Sequence, residues 1–165
     1  MIRRIAFMLL MSGGVAGTCA GGGLYLGPTV GIMNADVGGF DDATNAGILL
    51  GYDFFNLELL HISAETEFTT TVSDGDVKIS GQKGDWDIDT RGAYLAARLG
   101  ETFYLKVRFG VVWSDVSVKV AGVSASDSDS SGSWGGALGW NLDPNWALQA
   151  DGTQVDSDVT YWNRA

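Results

Sequence analysis

From about residue 24 onward, apolar residues alternate with small or polar ones at a period of two. That period puts successive side chains on opposite faces of a strand. Leu24, Leu26, Val30 and Ile32 alternate with Tyr25, Gly27, Thr29 and Gly31. Ala46, Ile48, Leu50, Tyr52 and Phe54 form a second row, and Ile62, Ala64, Thr66 and Phe68 a third. Ala93 to Leu99, Phe103 to Trp113, Trp134 to Trp140 and Trp146 to Gly152 repeat the pattern. A weaker eighth segment begins near Val159 and includes Tyr161. No helical period of comparable length interrupts them.

The connections between these segments are of two alternating kinds. Short turns fall at Phe55-Asn56, Gly100-Glu101 and Asp143-Pro144-Asn145, and longer polar loops at about 35–43, 73–89 and 118–131. The last of these is a low-complexity Ser/Asp stretch, expected to be mobile. Eight strands joined this way predict an all-β, antiparallel up-and-down meander that closes into a barrel and so removes its sheet edges.

Alternation alone leaves open which face is greasy, since a soluble lipocalin-type barrel is also eight-stranded. Three features favour a transmembrane barrel with its apolar face outward. The polar face is mostly Gly, Ala, Ser and Thr, whereas a soluble exterior carries about 25–35% charged residues. Aromatics on the apolar face gather at two levels: Tyr52, Phe54, Phe103, Trp140 and Trp146 beside the short turns, and Phe68, Trp113, Trp134 and Tyr161 towards the long loops. Outer-membrane barrels carry such girdles at both interfaces. Most segments also have the ~9–11 residues that a tilted spanning strand needs.

Composition narrows the function classes. The 165 residues fit one domain, and 20 acidic against 10 basic residues give a formal charge of −10, which argues against a nucleic-acid partner. One cysteine, Cys19, and one histidine, His61, leave no basis for a disulfide, a Cys-rich metal site or an iron–sulfur cluster, so no metal or cofactor is expected. At the N-terminus, Arg3 and Arg4 precede the apolar run Ile5–Met11 and the small residues Thr18-Cys19-Ala20. This reads as a secretory signal peptide over 1–20, with the barrel domain over 21–165. Cutting 20 of the 165 residues leaves 145, and losing both arginines moves the charge from −10 to −12. A lipoprotein reading of Cys19 fits poorly, because Thr18 and Ala16 are not the residues it wants.

From about Gly23 to Tyr161 the chain resembles the eight-stranded outer-membrane barrel superfamily, which includes the outer-membrane-protein-A-like transmembrane domain and small porin family proteins. The segments that carry the resemblance are YLGPTVGI at 25–32, SAETEFTTTVSDGD at 63–76, DTRGAYLAARL at 89–99, FYLKVRFGVVWSDV at 103–116 and GGALGWNLDPNWALQADGTQVDSDV at 135–159. The resemblance implies location in the outer membrane of a Gram-negative bacterium and contact with its lipid and lipopolysaccharide. It also implies insertion by the barrel-assembly machinery and a surface or host ligand met through the loops. It further implies a last strand ending on an aromatic residue, whereas this chain stops at Asn163-Arg164-Ala165, which leaves the eighth strand short.

Eight strands enclose room for side chains but not for a wide channel. By parity, Glu65, Glu67, Arg98, Lys106 and Arg108 face inward, and Asp53 and Asp151 are expected to join them. The plain reading is a self-compensating salt-bridge core, because buried charges must be paired. A proton or ion path and acid/base catalysis are the functional alternatives.

His61-Ile62-Ser63 is similar to the H-x-S pair of an eight-stranded lipid A deacylase, with Glu65 on the same face. Residues two apart on a strand lie about 6.5 Å apart, however, so direct contact needs favourable rotamers. A polar lining role for His61 is the simpler expectation. Asp85-Trp86-Asp87-Ile88-Asp89 echoes a calcium loop but lacks its glycine and glutamate, at Thr90 and Ala96. Asp36, Asp41, Asp42, Asp74, Asp76, Asp127 and Asp129 make the loops acidic, and a solvated surface is the expectation there. Gly132, Gly135, Gly136 and Gly139 precede no helix and read as thin barrel wall.

Together these readings point to a non-enzymatic outer-membrane barrel with a structural and surface-contact role. The alternatives are a lipid A deacylase using His61 and Ser63, a small-solute channel, and a soluble periplasmic barrel.

Overall fold

Every strand predicted between residues 24 and 152 is present. The structure is a computed structural model that describes residues 6–9, 17–18, 23–33, 41–79, 82–120 and 123–155. Its strands are β1 (Ala6–Leu9), β2 (Gly17–Thr18), β3 (Leu24–Met33), β4 (Ala43–Asn56), β5 (Leu60–Ser73), β6 (Gly75–Ile79), β7 (Gln82–Leu99), β8 (Phe103–Val120), β9 (Val123–Asp143) and β10 (Trp146–Val155). Each of β3, β4, β5, β7, β8, β9 and β10 pairs antiparallel with the next, in that order. β1 pairs with β10 on one side and with β3 on the other, so the ladder returns on itself through eight staves.

The eighth stave differs from the sequence expectation. The strand expected near Val159 lies outside the described residues, and its place beside β10 and β3 is held by Ala6–Leu9, inside the expected export signal. β2 adds to β3 further along the same edge. Two strands with open edges present unpaired N–H and C=O groups, and an extended segment of the same chain satisfies them.

The parity reading of the faces holds along all the long strands. In β8, Phe103, Leu105, Val107, Phe109, Val111 and Trp113 point outward and are exposed, while Tyr104, Lys106, Arg108 and Val112 are buried. A polar interior beneath an apolar exterior inverts the soluble rule and suits a barrel immersed in hydrocarbon, where closure gives every backbone amide a partner.

Three boundaries depart from expectation. The first turn is Leu57–Leu59, closed by reciprocal backbone bonds between Leu57 and Leu60, because Phe55 and Asn56 still pair with Ile62 and His61. The segment expected as a loop at 73–89 is instead β6 hairpinned onto an extended β7. Most of the 118–131 stretch, expected to be mobile, is strand paired in register with β8, from Val120↔Val123 to Val111↔Gly132. An apolar cluster beyond the barrel anchors β6 and the extended ends of β7 and β8. Met33, Ala43, Val77 and Trp86 are buried together, with Ile88, Val118 and Val120 against them. Trp86 Nε1 donates to the Asp41 carbonyl at 2.9 Å. Asp85, Asp87 and Asp89 alternate with Trp86 and Ile88, so DWDID is strand alternation, with Asp87 3.6 Å from Lys119.

Candidate functional site

The candidate site is the lumen, and its groups come from six strands. Inward parity and cross-strand register bring the predicted charges together in layers. Lys106 Nζ on β8 donates to Glu65 Oε1 on β5 at 2.8 Å, reaching over the intervening β7 rather than between ladder neighbours. Two residues further along both strands, Arg108 Nη1 donates to Glu67 Oε2 at 2.7 Å. Arg108 Nη2 lies 3.6 Å from Asp151 on β10 and also donates to Thr153 Oγ1. Towards the short turns, Arg98 Nη2 donates to Asp53 Oδ2 at 3.4 Å. All seven predicted interior charges therefore take part in these ion pairs.

Arg108 is deeply enclosed. It retains 2% of its exposure, near the middle of the Phe103–Trp113 part of β8, with its guanidinium carbon 4.4 Å from the Tyr94 ring centroid. Planar guanidinium suits such a site because it engages carboxylates on its edge and an aromatic ring on its face at once.

Sequence reasoning did not single out the lumen tyrosines. Tyr25, Tyr94 and Tyr104 each stand directly across the ladder from a glycine, respectively Gly51, Gly110 and Gly139. In each case a Cβ on that glycine would overlap the tyrosine ring. The glycine leaves the space, and the aromatic ring covers the exposed backbone, a pairing known to stabilise barrels. Tyr25 then donates to Glu65 Oε1 at 2.5 Å, and its hydroxyl oxygen lies 3.0 Å from Ser63 Oγ, whose hydroxyl donates to it. Tyr104 lies under the Arg98 guanidinium at 5.1 Å. The signal was present in the sequence as Tyr on the small-residue face, but the partner glycine depends on register. Gly139→Ala is therefore expected to force Tyr104 off Arg98 and to cost about 1–3 kcal/mol, as overpacking does. The midpoint temperature of its heat-dependent gel shift will read this, and an unchanged midpoint refutes the pairing.

His61 and Ser63 share a face but are not joined. His61 Nδ1 is 2.6 Å from Asn56 Oδ1 and 3.8 Å from Asp53 Oδ2, whereas Ser63 Oγ is held by Tyr25. Among the described residues there is no His61–Ser63 hydrogen bond, so the serine lacks the adjacent base that nucleophilic attack needs.

The aromatics expected to form the girdles are exposed. Tyr52, Phe54, Phe103, Trp140 and Trp146 are exposed towards the short turns, and Phe68, Trp113 and Trp134 towards the other end. Phe103 and Trp140 stack at 5.7 Å. Tyr161 and the loop residue Asp36 lie outside the described residues. Asp127 and Asp129 lie on the exposed part of β9 beyond the barrel. Among the described residues no three carboxylate, histidine or cysteine groups converge as a metal site. The glycines of β9 stand in the barrel wall opposite β8 and β10.

The sequence model of the family described as "Outer membrane protein beta-barrel domain" matches residues 5–164. No curated protein matches. Among solved structures, the crystal structure of Ail, the attachment invasion locus protein of Yersinia pestis, superposes with a TM-score of 0.51 at 16% identity. The superposition covers 94% of this chain and 95% of that one, a likeness of fold.

Proposed function

The chain belongs to the outer membrane protein β-barrel domain family, and we propose that it serves the Gram-negative outer membrane as a non-enzymatic stave whose protruding strands make surface contacts. The observation that carries this reading is the lumen. Ion pairs at the Lys106 and Arg108 levels fill it from wall to wall, which suits a rigid plug better than a solute path. Ser63 is occupied by Tyr25, which weighs against the deacylase alternative. β7, β8 and β9 are 18, 18 and 21 residues long in all, more than a spanning strand requires, and so run on beyond the barrel. The extended end is the one that presents recognition, as loops on rigid scaffolds do.

Residues 1–20 serve as the export signal in this reading. Their removal vacates the edge that Ala6–Leu9 holds between β10 and β3. The outward aromatics mark the two membrane interfaces. Lipid, lipopolysaccharide and the assembly machinery are the partners on the way in, and a host or surface ligand is the partner outside.

Fractionation of cells expressing the full chain tests this. The protein is expected in the outer membrane, with the mass of a chain starting at Gly21 and a gel mobility that shifts on boiling. Recovery in the soluble periplasm refutes the membrane role. Outer-membrane protein that cleaves lipid A, and loses that ability in His61→Ala, replaces the structural reading with the enzymatic one.

A further inference from the structure

The outward row of β7 runs Leu99, Ala97, Leu95, Ala93 and then Arg91. The neighbouring outward rows, Ile62 to Phe68 on β5 and Phe103 to Trp113 on β8, hold no charge. Arg91 is therefore the first charge met on this wall on the way up from the short turns. Cross-strand register sets it directly between Phe68 and Trp113, and all three residues are exposed. One level further out, Asp89 and Asp115 stand opposite each other, both exposed, and beyond them Asp87 pairs with Lys119 at 3.6 Å. Among the described residues Arg91 enters no ion pair, with these carboxylates or any other.

Its position limits what can satisfy it. Phe68 and Trp113 belong to the aromatic level that marks a membrane interface, and the hydrocarbon below offers no acceptor. An arginine there lays its stem along the apolar wall and carries its guanidinium to the headgroups. The planar guanidinium takes a phosphate through two parallel N–H···O bonds, roughly twice as strong as neutral ones. The charge around it selects the source of that phosphate. Asp89, Asp115 and the formal charge of −10 oppose an anion that approaches from solution. A lipid phosphate arrives sideways within the interface, below the aspartates, with its chains against the apolar rows. The extended ends of β7, β8 and β9 lie at this same end, which the surface role places outside the cell. The leaflet at Arg91 is then the outer one, which carries lipopolysaccharide.

We propose that Arg91, set between Phe68 and Trp113, binds a lipid A phosphate of lipopolysaccharide at the outer interface. The proposal rests on the outer-membrane reading and names the residue and the headgroup through which that contact is made.

Native mass spectrometry of the folded barrel released from detergent tests it, with bis-phosphorylated lipid A as the probe. The same lipid A stripped of phosphate, phosphatidylglycerol and inorganic phosphate are the comparisons. Bis-phosphorylated lipid A is expected to bind about tenfold more tightly than the stripped form, the weight of one charge-assisted contact. Inorganic phosphate is expected not to displace it. Arg91→Gln is expected to remove that advantage, and Arg91→Lys, a point charge without the fork, to keep part of it. Lys119→Gln lowers the charge equally but further out, and is expected to leave the advantage unchanged. Arg91 is exposed and forms no ion pair, so each variant is expected to keep its heat-dependent gel shift, which is checked first. Equal binding of the two lipid A forms, an undiminished preference in folded Arg91→Gln, or a loss shared by Lys119→Gln overturns the proposal. Phosphatidylglycerol binding as tightly as lipid A, or displacement by inorganic phosphate, overturns it as well. A parent chain with no gel shift refutes the barrel reading beneath it, so the two failures are told apart.

Discussion

Replacing Arg108 with alanine is expected to cost the barrel about 3–5 kcal/mol, the loss typical of breaking a buried ion pair from one side. The penalty arises from what remains. Glu67 and Asp151 are then two buried carboxylates on facing strands without their shared cation, and Thr153 loses the guanidinium that binds its hydroxyl. The expected readout is loss of the SDS-resistant band at room temperature, or a large drop in the temperature at which it converts to the unfolded mobility. A second variant separates charge from volume. Arg108→Met combined with Glu67→Gln and Asp151→Asn removes the whole charged layer and is expected to recover most of the resistance, because well-packed neutral groups often equal a buried ion pair. If Arg108→Ala keeps the parent conversion temperature, the lumen charges are solvated rather than structural.

That layer was legible from the sequence because one rule sufficed. Parity told which face each residue takes, and seven charges on the small-residue face had to meet in a confined lumen. Parity could not say which charge meets which. The Lys106–Glu65 and Arg108–Glu67 pairs reach over the intervening β7, and strand order and register decide them. The tyrosine–glycine pairs were missed for the same reason, since Tyr104 and Gly139 lie 35 positions apart and meet only when β8 and β9 are aligned.

The polar segments failed differently. Asp and Gly have poor strand propensity, so 118–131 and 73–89 read as loops. They are strands because ladder pairing with β8 and the Met33–Val77–Trp86 cluster outweigh local preference. The N-terminal segment is a different case. An apolar stretch suited to an export signal is also suited to filling a vacant sheet edge, and composition does not choose between these.

The companion to Arg108 is its neighbour. The outward row of β8 runs from Phe103 to Trp113, one aromatic in each girdle. Ten steps of about 3.3 Å at a tilt of about 40° give a height of about 25 Å, the height of the apolar band of an outer-membrane barrel. Residues 107 and 108 therefore sit close to mid-depth, one facing lipid and one facing the lumen. Val107→Arg moves an arginine by a single position relative to Arg108, with the same depth and strand. On the lipid face it meets neither carboxylate nor water, and the outward row around it, Leu105, Phe109 and Leu138, offers only hydrocarbon. The expected cost is about 2–4 kcal/mol, as for arginine at the midplane of such barrels. The same substitution at Trp113, in the upper girdle, is expected to cost at most about 1 kcal/mol in charge burial, because the side chain reaches the interface. Urea titration of the barrel refolded into lipid vesicles measures both. A soluble barrel gives no such order, since an arginine at exposed Val107 would then be nearly neutral and the stability difference between the two variants would vanish.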